Sequence, residues 1–284
     1  MKYLLIVVFS FYYSLGIAQG SKVYLSSRVE ALWKSAPVLE TPESVLFSKE
    51  YQLIFVSNIN GKPNEKDGNG FISKFTAEGN VVEIEWIKGL NAPKGMAEYK
   101  GHIFVSDIDR LIDIDINKGE IIKSYPVKGA QFLNDVASDR NGNIYVSDSQ
   151  TDIIYKLKDG VVLEFVKSDK IKGANGLCLS NGDLYIGTKQ KIVKVNLETF
   201  CVCDYILNTG SIDGLICLEN KDIIFSDWSG NIYITALGKE TIKLIDTTPL
   251  KVNAADIGFN ELTRSILVPT FYDNRIMSYK LLDK

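Results

Sequence analysis

Six side chains recur at one place in a repeated phrase. Glu43, Lys94, Asn134, Asn175, Asp213 and Asp256 each stand nine to eleven positions ahead of a short apolar strand. Five carry carboxylate or amide oxygens and one carries an ammonium. Gathered at one point without His or Cys, such oxygens favour a hard cation such as Ca²⁺, Mg²⁺ or Mn²⁺. Left without a cation or a polar ligand, they would be costly to desolvate. On residue type alone a second reading stands beside this one. Asn and Asp cap tight turns, and so open strands in proteins with no chemistry to do.

What positions these residues is a repeat of some forty residues. The strands that follow them begin at Ile54, Ile103, Ile144, Leu184, Ile223 and Ile266, and the clearest copy is Asn134–Asp148, NDVASDRNGNIYVSD. Periods of this size mean a propeller or a solenoid. Asn141-Gly142, Asn181-Gly182 and Lys100-Gly101 mark a tight turn between first and second strands, and Glu78-Gly79, Lys158-Asp-Gly160 and Leu237-Gly238 separate third from fourth. Four strands fit each period. The spacing predicts an all-β, six-bladed β-propeller. Its last repeat, from Asn253, has room for three strands only, so Val29–Lys34 (VEALWK) is expected to supply the fourth and close the ring without an unpaired edge. The six polar residues then open the innermost strands and meet at one end of the central channel. A long insertion between Ser57 and Phe71 is expected to overhang that end, as a functional loop or as plain surface.

Composition narrows the partners. Fourteen Tyr, thirteen Phe and twenty-two Gly suit strands separated by turns. A net charge of −3 without basic clusters gives nucleic acid no footprint. Residues 1–18 read as a signal peptide, with Lys2, an apolar run Leu4–Ala18 and Gly16-Ile17-Ala18 as the cleavage site. The run is short for a membrane span, although a retained anchor is the alternative. Residues 19–284 are then one exported domain, periplasmic or secreted and monomeric, with no membrane span after cleavage. Of the four cysteines, Cys201 and Cys203 lie two apart on one strand face, where a mutual bridge would be strained. Cys178 and Cys217 occupy first strands of neighbouring repeats and can approach, but the favoured reading makes all four small apolar fillers. No zinc-site spacing occurs.

Two reaction classes drop out. The single histidine, His102, begins a second strand and so sits away from the polar openers, which leaves no Ser-His-Asp or Cys-His nucleophile. No GxxxxGK[ST] phosphate loop is present. The repeated Ser-Asp pairs at 106–107, 147–148 and 226–227 read as turn devices rather than catalytic pairs.

Four phrases carry a family likeness: Pro42-Glu43-Ser44 before IFVSN, Phe132-Leu-Asn134-Asp135 before DRNGNIYVSD, Ala174-Asn175-Gly176-Leu177, and Ile212-Asp213-Gly214-Leu215. Through them the sequence resembles the gluconolactonase and senescence-marker-protein (regucalcin) family of six-bladed propellers, over nearly the whole mature chain. Strictosidine-synthase-like and NHL-type propellers share the repeat. The resemblance implies one divalent metal held by Glu43, Asn175 and Asp213, with Asn134 beside the substrate. Lys94 and Asp256 lack a family counterpart and are counted as substrate contacts. The expected activity is metal-assisted hydrolysis of a lactone or ester, with Asp213 (alternatively Asp256) taking a proton from water and Asn134 orienting the substrate. Ca²⁺ is the first candidate, and Mg²⁺, Mn²⁺ or Zn²⁺ would be tolerated. The competing expectation is a secreted binding propeller for a protein or glycan, with a purely structural polar channel.

Overall fold

A computed structural model describes residues 22–283. The leader expected over residues 1–18 lies outside the described residues. The rest forms six small antiparallel sheets arranged as blades. The strands of blade 1 are Pro42–Ser48, Leu53–Asn58, Gly70–Thr76 and Val81–Leu90. Blades 2 to 5 begin at Pro93, Leu133, Leu177 and Leu215. Blade 6 takes three strands from Gly258–Asn260, Ser265–Pro269 and Ile276–Leu281 and its fourth from Val29–Lys34, which pairs antiparallel with Ile276–Leu281. The ring closes as the repeat count requires.

One strand is new to the sequence reading. Tyr24–Leu25 adds to the outer edge of blade 5, opposite Ile245 and Asp246. The segment before blade 1 therefore straps two blades.

Turn chemistry works as expected at two of the three tight corners, while at Asn141-Gly142 only the glycine takes positive φ. Asn181 and Gly182 both take positive φ (52° and 80°), the conformation that a two-residue hairpin turn demands. Stability comes from the apolar layers between blades. Ala97 and Phe104 of blade 2, for example, pack with Val136, Val146 and Tyr155 of blade 3. Side chains alternate along a strand, so each blade gives one face to each neighbour.

The innermost strands crowd the axis, and small residues let them do so. A Cβ at Gly258 would lie 2.2 Å from the Val45 carbonyl oxygen, and one at Gly214 would lie 2.3 Å from the Ile257 nitrogen. Across these seams Asp256 N–H donates to the Glu43 carbonyl (2.9 Å), which joins blade 6 to blade 1.

A disulfide links Cys178 and Cys217, with Cα atoms 5.7 Å apart, and so ties the innermost strands of blades 4 and 5. The filler reading fails for this pair because adjacent inner strands lie within bridging distance. Cys201 and Cys203 remain free thiols, one exposed and one half-buried.

Candidate functional site

All six strand openers reach the axis, but they do different things there. Glu43, Lys94, Asn134, Asp213 and Asp256 are buried, and Asn175 is half-buried. Asn175 Nδ2 donates to Asp213 Oδ1 at 2.8 Å. Asn134 Nδ2 donates to Ser149 Oγ, whose hydroxyl passes on to the Ala174 carbonyl beside Asn175. The openers of blades 3, 4 and 5 thus form one connected arc. Asn175 and Asp213 lie in a cleft of about 430 Å³ at the mouth, next to Trp228.

Three oxygens in this set stand out. Glu43 Oε2, Asn134 Oδ1 and Asn175 Oδ1 are buried and, among the described residues, accept no hydrogen bond. A buried acceptor without a donor costs about 1–3 kcal/mol, so three around one axis ask for a common partner. Together with Asp213 they make an all-oxygen donor set, the kind a hard cation takes. The residues therefore fit the implied metal. Half of the set is amide oxygen, and among the described residues no group of three or more His, Cys, Asp or Glu is placed to hold an ion. The fit rests on the amides.

Lys94 and Asp256 sit apart from the cleft. The Lys94 ammonium donates to the carbonyls of Pro63 (2.9 Å) and Ala92 (3.0 Å) and lies 4.5 Å from the centre of the Phe132 ring. Pro63 belongs to the 58–70 insertion, which does overhang the axis and is pinned to blade 2 by Lys66 and Asp109 at 2.5 Å. Lys94 thus serves as the resident positive charge beside Glu43, under a lid of backbone. Asp256 accepts from Ser44 Oγ at 2.5 Å and lines a cavity of about 690 Å³ at the opposite end of the channel.

That second cavity exposes a residue that the repeat pattern passed over. Asp135, one position past the opener Asn134, lines it beside Asp256 and comes within hydrogen-bonding reach of that carboxyl. Its oxygens accept from the backbone N–H groups of Val136 (2.6 Å) and Leu177 (2.5 Å). A signal was available, since the corresponding places in blades 2, 4 and 5 hold Gly95, Gly176 and Gly214.

Four carboxyls and one ammonium on a dry axis shift one another strongly. Burial, and then the charges of Asp213 and Asp256, drive Glu43 well above the carboxylate range, while Lys94 opposes the shift. Burial and the neighbouring Asp135 do the same to Asp256. Burial pushes Asp135 up to about 8, against its two backbone donors. Asp213 rises to about 6, again through burial, with Asn175 holding it back. Burial lowers Lys94, against the pull of Glu43 and Asp107.

The remaining motifs behave structurally. Asp107 accepts the N–H groups of Asn91 and Ala92 and the Arg110 guanidinium. Asp148 likewise accepts four backbone N–H groups around its turn. His102 pairs with Asp113 at 2.7 Å and is strand-paired with Tyr99, at the far end of blade 2 from Lys94.

No protein-family model matches the sequence, and no curated protein matches it. Solved structures do. A streptogramin B lyase superposes with a TM-score of 0.64 at 14% identity, covering 91% of this chain and 98% of that one. A gluconolactonase from Xanthomonas campestris gives 0.64 at 13% identity, covering 89% of each chain. The WD40 β-propeller domain of Doa1 gives 0.63 at 12%, covering 92% and 96%. At these identities the likeness is one of fold, and this chain's own six sheets make it a six-bladed β-propeller.

Proposed function

We propose that this propeller is an exported, divalent-metal-dependent hydrolase that opens a lactone or cleaves an ester at the mouth of its channel. The observation that carries the reading is the set of three buried oxygens, on Glu43, Asn134 and Asn175, that have no donor among the described residues, with the Asp213 carboxylate beside them. Glu43, Asn175 and Asp213 would hold the ion, with Ca²⁺ the best match to oxygen donors. When bound, the ion supplies Lewis-acid polarisation of the carbonyl and makes water a stronger acid.

The chain's own residues do the rest. Asp213 opens directly on the cleft, and it takes one proton from the attacking water. The hydroxyl joins the acyl carbon, the acyl C–O bond breaks, and the leaving oxygen receives the proton that Asp213 held. One water is consumed and Asp213 is regenerated. Asn134 Oδ1 is free to accept from a substrate hydroxyl or from that water, which fixes the approach. Export is supported by the apolar leader and by a disulfide, which oxidising compartments allow to persist.

The test is metal content by mass spectrometry together with turnover on a lactone panel, for wild type and Asp213→Ala. We expect about one divalent ion per wild-type chain, and in the variant loss of the ion and of at least 10²-fold in kcat/KM. Full activity in a metal-free Asp213→Ala protein would sink the reading.

A further inference from the structure

The wall of the mouth cleft next to Asn175 and Asp213 is Trp228, and it is 47% exposed. It follows the Ser226-Asp227 pair in the loop leaving the second strand of blade 5. Its neighbour is the turn Phe271–Asp273 of blade 6. Phe271 lies edge-on to Trp228 at 5.8 Å and Tyr272 does so at 6.0 Å, while Phe271 and Tyr272 meet at 4.8 Å. Phe271 is buried and holds a φ of 52°, an uncommon conformation for an aromatic residue. Asn253 Nδ2 fastens the Trp228 carbonyl at 2.9 Å. Three aromatic rings from two blades are thus braced into a shelf, with the indole and the Tyr272 ring open to solvent beside the polar pair.

The chemistry of the rim says what sort of ring the shelf takes. A polyhydroxylated sugar ring needs a fan of free donors and acceptors around its edge. Here Asp227 is spent on its own turn, accepting from the backbone N–H groups of Gly230 and Asn231 and from Asn231 Nδ2. Among the described residues, the other polar side chains on that wall are the small hydroxyls of Ser211 and Ser229. A flat, uncharged ring with few hydroxyls suits such a surface, because stacking on indole needs area rather than hydrogen bonds.

We propose that Trp228, braced by Phe271 and Tyr272, is an aromatic-ring subsite that makes aryl lactones and aryl esters the preferred substrate class. The proposal rests on the ester- or lactone-cleaving reading and narrows it. In the bound pose the aryl ring lies on the indole and the carbonyl points to Asn175 and Asp213.

Binding and turnover must be separated, so the first probes are lactams, which resist hydrolysis. Calorimetric titration of the full protein with 3,4-dihydro-2-quinolinone, δ-valerolactam and gluconolactam should give Kd values at least tenfold tighter for the aryl compound. Trp228→Ala should remove that advantage, and Trp228→Phe should keep part of it. Tyr272→Ala, which removes a side chain 68% exposed, should weaken it by a few-fold. Equal affinity for the three lactams, tighter binding of gluconolactam, or an advantage unchanged in Trp228→Ala overturns the subsite. Aryl selectivity in binding with no turnover of dihydrocoumarin leaves the subsite standing and sinks the hydrolase reading instead.

Discussion

Replacing Lys94 by methionine keeps most of its volume and removes the ammonium that faces Glu43. If Glu43 helps to hold a cation, Lys94 competes with that cation for the same field. One unit charge several ångströms away in a medium of intermediate dielectric is worth about 1–2 kcal/mol. Lys94→Met should therefore tighten Ca²⁺ binding about tenfold by calorimetry, and an unchanged Kd would show that the ammonium does not bear on the ion. A second residue-scale expectation concerns Asp135. Its folded-state value of about 8 lies above the unfolded value of about 3.9, so the folded chain binds more protons. Its contribution to stability is full below about pH 4 and is lost as pH rises through about 8. In chelator, the urea midpoint of the wild type should fall between pH 5 and pH 8, and that of Asp135→Asn should fall less. Parallel curves would assign the proton to another carboxyl.

At the scale of strands, the seams between blades are where the sequence has least freedom. Gly258→Ala would drive a methyl group into the Val45 carbonyl oxygen, whereas a Cβ at Gly182 meets nothing within 4 Å. The first should cost about 3 kcal/mol through overpacking. The second should cost about 1 kcal/mol through the φ of 80° alone. Urea titrations of the two variants check the order, and a reversed order would mean the inner strands can slide apart. The same strands explain what could be read in advance. Glu43, Asn134, Asn175 and Asp213 were legible because a repeat fixes an offset, and the offset fixes the axis. Asp135 was missed because one step along a strand turns a side chain to another face, and only its contrast with the glycines of other blades gives it away. Trp228 was missed for a different reason. It sits in a loop whose neighbours in space, Phe271 and Tyr272, are more than forty residues away in sequence. Lys94 and Asp256 lie on the axis but outside the cleft that Asn175 and Asp213 line, since an offset says nothing of depth or of which way a side chain bends.

For the whole molecule, the ring closes within blade 6, where the N-terminal strand meets the last one, and the seam between blades 6 and 1 shuts with it. Deleting residues through Lys34 removes the outer strand of blade 6 and uncovers the edge of Ile276–Leu281. Such an edge invites pairing between chains. Light scattering should show that truncated protein aggregating, while a chain lacking only residues through Leu25 should stay dispersed. An equally dispersed longer truncation would mean that three strands suffice for the last blade. The closure also sets an order in time. Ile276 N–H donates to the Ser35 hydroxyl across 241 positions of sequence, so the early strand has no partner until blade 6 is made. A growing polypeptide makes that strand before any complete blade and must carry it idle. Glu43 and Asp256 flank this last seam, and the axis between them has no walls before it shuts. Any ligand of the axis would therefore meet only the closed ring, and its binding would report that synthesis has run through blade 6.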